Sequence, residues 1–147
     1  MTAKAYERLA LEDFSHARRK AMWRDRISWF ARKRNSLVSV DETSKYTSPQ
    51  APRHLGLQAV SIDKIVGSEG RFREFDRDFL PRQPQTRDRW VSIAKAYYKQ
   101  VTLPPVELLK IGDEYFVRDG NHRISVARSR GQIYIDADVT EIEANNP

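Results

Sequence analysis

The run Tyr115-Phe-Val-Arg-Asp-Gly-Asn-His-Arg-Ile-Ser-Val-Ala-Arg128 constrains this chain more than any other. A short apolar strand meets a glycine turn, and the turn opens directly into a helix. The turn carries Asp119, Gly120, Asn121, His122 and Arg123 in succession. A helix N-terminus offers unpaired N–H groups and partial positive charge, which suit a phosphate. Gly120 is expected to let backbone approach a ligand, and Arg123 to supply a fork of donors. From spacing alone a plainer reading stands level with this one. In it Asp119 or Asn121 caps the helix, and His122 and Arg123 are solvated.

The rest of the chain places this turn late in one domain. Residues 5–34 contain neither Gly nor Pro and are rich in Ala, Leu, Arg and Lys, so they read as one long helix, or two with a break near Ser15-His16. Trp23, Ile27 and Phe30 form a stripe expected to pack on the domain that follows. Residues 35–56 lack helix or strand periodicity, and Pro49 and Pro52 mark them as a linker. Residues 57–66 alternate as a strand that runs into a helical turn at Asp63. Residues 67–84 form an arginine-bearing loop with Phe72, Phe75 and Phe79 at spacings of three and four, part of it helical by that pattern. Residues 85–100 are a helix with Trp90, Ile93, Ala94 and Tyr97 inward, and Trp90 is expected in the core rather than against a ligand. A hairpin turns at Gly112-Asp113, a helix covers 121–130 and stops at Gly131, and 133–142 is a last strand. The expected fold is α+β: a small mixed-sheet domain over 57–143, preceded by a basic helical arm over 1–34.

Charge sharpens the division. Of the net +6, all lies in residues 1–34, which hold ten Lys/Arg against four Asp/Glu, whereas residues 35–147 are balanced. Arg18, Arg19, Lys20, Arg24, Arg26, Arg32, Lys33 and Arg34 are the candidates for contact with DNA or RNA. The competing readings are an ordinary helix with a solvated basic face and, less favoured, an interfacial membrane helix. The chain has no cysteine, which excludes disulfides and thiolate chemistry. Its three histidines are unpatterned, so no metal site is expected from protein ligands alone. No apolar run spans a membrane and nothing directs export, so a cytoplasmic protein without a membrane partner is the expectation.

The same residues carry a family resemblance. Asp119-Gly-Asn-His-Arg followed by Ser125-Val-Ala-Arg resembles the Gly-x-x-Arg-x-x-Ala-Ala signature of the ParB/sulfiredoxin-like superfamily. Upstream, Val60-Ser-Ile-Asp-Lys-Ile, Arg71-Phe-Arg-Glu-Phe-Asp, Leu103-Pro-Pro-Val and Lys110-Ile-Gly-Asp-Glu-Tyr-Phe-Val follow in the order of such domains. The resemblance covers roughly residues 57–143. It implies a nucleotide- or phosphate-binding module in which Gly120, Asn121, His122 and Arg123 cradle phosphates, with Arg71 and Arg73 as a second clamp. The family pattern has Gln-Pro-Arg where Gly70-Arg71-Phe72-Arg73 stands here, so base specificity does not transfer. Members with a Cys in the turn act through it; this chain has Asn121 there, so that chemistry is not implied. A serine-kinase branch with an Asp-Gly-His-x-Arg turn implies an alternative, in which Asp119 and His122 act in a phosphotransferase or phosphodiesterase/nuclease. Mg²⁺ with a nucleoside triphosphate is the cofactor either reading admits. No helix-turn-helix pattern follows the turn within these residues, so a complete partition protein is not expected.

Overall fold

The computed structural model describes residues 2–31, 35–39, 51–70 and 73–143. The first element is α1, Ala3–Ala31, one 29-residue helix without a break at Ser15-His16. Next come β1 (Val38–Ser39), β2 (Arg53–Ser61) and β3 (Ile65–Ser68), the last two joined by a helical turn at Ile62–Lys64. A turn at Pro84–Thr86 leads into α2 (Arg87–Tyr98). The chain then runs through β4 (Val106–Ile111), β5 (Glu114–Asp119), α3 (Asn121–Ser129) and β6 (Tyr134–Ile142). The six strands make one sheet in the order β1-β3-β5-β4-β6-β2. β2–β6 and β4–β5 are antiparallel, while β1–β3, β3–β5 and β4–β6 are parallel. The expected α+β class with a mixed sheet and an N-terminal helix is what the chain adopts. Strand β2 begins at Arg53, inside the stretch read as linker, because pairing with β6 supplies a partner that local periodicity cannot reveal. Among the described residues, no helix is long and apolar enough to cross a membrane.

One core joins all three helices to the sheet. Trp90 of α2 is fully buried. Its indole N–H donates to Ser125 Oγ in α3 at 2.9 Å, which satisfies the buried donor. Phe14 of α1 lies on the same indole, with ring centroids 5.6 Å apart. Ala10, Ala17 and Ala21 line up with Phe14 on the buried face of α1. The expectation for this helix therefore holds in outline and fails in detail. Trp23 and Ile27 are exposed, and the side chain of Phe30 lies outside the described residues. Small residues won the inward face because they let α1 approach α2 closely, which the larger stripe would have prevented.

Residues 73–83 of the loop after β3 are not helical, although the phenylalanines recur at helical spacing. Asp76 explains this. Its Oδ1 accepts the N–H groups of Asp78 and Leu80, and its own N–H donates to the Leu80 carbonyl. A side chain that binds its own backbone in this way competes with helix. Phe79 takes a left-handed φ of 60° inside that turn. Phe75 and Phe79 are buried, as is Asp76 itself; Phe72 lies outside the described residues. α1 grips the loop from outside. Arg24 pairs with Asp78, Arg82 pairs with Asp25 at 2.6 Å, and Arg18 donates to the carbonyls of Pro81 and Arg82.

Candidate anion-binding cleft

The junction of β5 and α3 lies at the floor of an open cleft of about 340 Å³. Gly120 is the N-cap residue of α3, with φ 114° and ψ 23°, and no side chain caps the helix. The reading in which Asp119 or Asn121 serves as the cap is therefore not what the chain adopts. The first carbonyl to be used is that of Gly120, which accepts from Ile124 at 3.0 Å. Earlier N–H groups of the first turn have no acceptor within the helix.

Gly120, Asn121, His122, Arg123 and Asp119 all line the cleft, but they are not equivalent. Arg123 is largely spoken for. Its Nη1 donates to the carbonyls of Pro104 and Pro105 at 2.6 and 3.1 Å, and its Nη2 to Asp119 at 3.2 Å. This ties the Leu103-Pro-Pro segment to the start of α3. His122 is buried and stands edge-on to Phe75, with ring centroids 5.2 Å apart. Asn121 is 7% exposed, and its amide oxygen is buried without a partner. Asp119 is the acidic residue of the cleft and is open to solvent. Gly120 proves necessary for a different reason from the expected one. A Cβ there would collide with Val106, so the close approach it permits is to β4.

Neither arginine expected as a second clamp is among the described residues that line the cleft. Arg71 lies outside the described residues, and Arg73 is exposed without lining the cleft. Arg89 of α2 and Arg118 of β5 line it instead, with Gly70 and Ile93. Arg118 pairs with Glu69 at 3.2 Å. Among the described residues the Arg89 side chain has no hydrogen bond or ion pair. Sequence reading passed over both arginines. The available signal was that Arg89 precedes Ile93 by one helical turn, on the flank of the Trp90 stripe. No group of three or more potential metal ligands exists among the described residues.

Of the eight basic residues singled out before residue 35, Arg18 and Arg24 hold the loop at 78–82. Arg19, Lys20 and Arg26 are exposed, and Arg32, Lys33 and Arg34 lie outside the described residues.

No family model matches the chain, and no curated protein matches it. Among solved structures it is similar to the crystal structure of sulfiredoxin from Arabidopsis thaliana, with a TM-score of 0.37 and 15% identity over 56% of this chain and 82% of that one. A likeness this remote says nothing about chemistry.

Proposed function

We propose that the cleft binds a phosphate-bearing ligand, a nucleotide in the first place, and that the exposed cations of α1 contact a polyanion. The observation that supports this best is Arg89, a cation with no side-chain partner among the described residues, lining the same cleft as an uncapped helix N-terminus. A side-chain fork and first-turn N–H groups are complementary donors for phosphate oxygens. The buried amide oxygen of Asn121 asks in turn for a donor, such as a sugar hydroxyl. The single carboxylate, Asp119, fits the way Mg²⁺ is held when phosphates supply the remaining oxygens. Binding is better supported than catalysis, because His122 is packed against Phe75 and Asp119 is engaged by Arg123.

A thermal-shift panel of nucleoside mono-, di- and triphosphates, with and without Mg²⁺, tests the reading. A ligand at a hundred times its Kd adds about 2.7 kcal/mol to the folded state. Arg89→Ala should leave the unliganded Tm in place and weaken binding by on the order of 1.5–3 kcal/mol. A flat panel, or equal affinity in the variant, overturns it.

A further inference from the structure

The face of α1 turned away from the core carries large apolar side chains open to solvent between its charges. Trp23 is 63% exposed and Trp29 76%, and Met22 and Ile27 are exposed beside them. Isolated apolar residues on a surface need no explanation, but two tryptophans with two aliphatics in two helical turns do. The arrangement of charge within this patch is specific. Arg19 and Arg26 are seven residues apart, on one line along the helix, and both are exposed. Trp23 and Met22 lie within three or four residues of both arginines, and Trp29 lies three beyond Arg26. The two arginines therefore run down the middle of the patch with an indole on either side.

From this we infer that the outer face of α1 is a platform for single-stranded nucleic acid, with bases stacked on Trp23 and Trp29 and backbone phosphates held by Arg19 and Arg26. The inference rests on the polyanion reading of α1 and deepens it. Charge complementarity argues for the occupant. A second copy of this chain would set Arg19 and Arg26 against their own counterparts. An anionic bilayer would have to draw the same two arginines, central in the patch, toward its acyl region. A single strand wants both features together: a cationic line to follow its backbone and flat aromatic faces for its bases. The axial separation of Trp23 and Trp29, about 9 Å at the helical rise, leaves room for bases on successive or alternate nucleotides. A duplex keeps its bases stacked on one another and offers those indoles nothing comparable.

The test uses the full chain with oligo(dT) and oligo(U), the matching duplexes, and vesicles of anionic phospholipid. Single strands should bind, with log Kd moving against log salt at a slope of about 2 if Arg19, Lys20 and Arg26 meet three phosphates. Tryptophan emission should be quenched on binding, because two of the three indoles are exposed while Trp90 is buried. Trp23→Ala should weaken single-strand binding about 5- to 150-fold, Trp23→Phe should restore most of it, and neither should move the Tm. Preference for duplex, or unchanged affinity in Trp23→Ala, overturns the stacking inference and leaves the polyanion reading standing. No binding to any nucleic acid at low salt overturns both. In that case, binding to vesicles would reassign the patch to a membrane surface, and concentration-dependent dimerisation would reassign it to a second copy.

Discussion

Val106 occupies the space that a side chain on residue 120 would need. A Cβ at Gly120 would stand 2.6 Å from Val106 Cγ1 and 2.9 Å from its Cβ. The backbone there also has φ 114°, a conformation that side chains resist. The glycine of the turn is thus required by the seat of α3 against β4. Gly120→Ala should lower stability by on the order of 3 kcal/mol, combining backbone strain with overpacking. Adding Val106→Ala should relieve the collision and leave the backbone component. Urea unfolding of the two singles and the double checks this; full stability in Gly120→Ala contradicts it.

Arg123 and Arg89 should separate fold from ligand. Arg123 holds two proline carbonyls and Asp119, so Arg123→Ala should cost about 1.5–3 kcal/mol of stability, the range for bonds to a charged group. Arg123→Lys should recover only part, because a lysine lacks the fork that reaches these acceptors together. The corresponding change at Arg89 should leave the urea midpoint where it is. Equal midpoints for Arg123→Ala and wild type would show that the proline clamp is dispensable.

Asp76 should make stability depend on pH in an unusual direction. Burial pushes its carboxyl above the ordinary aspartate range, against the lowering effect of the Leu80 and Asp78 N–H groups. With the folded pKa raised, the native state holds its proton where the unfolded chain has released it. The contribution is therefore fully present below the unfolded value and is lost as pH rises through the folded one. Asp76→Asn keeps an oxygen for both N–H groups and removes the titration. The difference in stability between wild type and variant should shift in favour of the variant as pH rises through that window. A difference that stays constant with pH contradicts the assignment.

Phe14 should matter to the whole domain rather than to α1 alone. It packs on Trp90 within the core that holds α2, α3 and the sheet together. Phe14→Ala should cost on the order of 3–5 kcal/mol. Removing residues 1–34 should abolish cooperative unfolding, because it strips Ala10, Phe14, Ala17 and Ala21 from that core. An arm that shared none of this core would give the reverse, an intact domain after truncation. Circular dichroism melts of both proteins decide between them.

The amino-acid sequence by itself determined the local features whose causes are local. The absence of Gly and Pro and the helix-forming composition favoured the helix seen over Ala3–Ala31. Gly112 and Gly131 fell where positive φ was needed, at 62° and 76°. The strand–turn–helix order around Gly120 followed from the spacing of its apolar residues. Only the tertiary structure decided which side of α1 faces inward, because two stripes on one helix compete and close packing against α2 favours the smaller. The turn at Asp76 is local in cause, yet helical spacing of Phe75 and Phe79 cannot weigh a side chain bonding to its own backbone. The cleft divided in the same way. Arg118 to Arg123 are neighbours in sequence, and Asp119 to Arg123 were legible together, whereas Arg89 and Ile93 reach the cleft from α2. Their convergence depends on how the sheet orders its strands and where α2 docks, and long-range pairing leaves no mark in a local pattern.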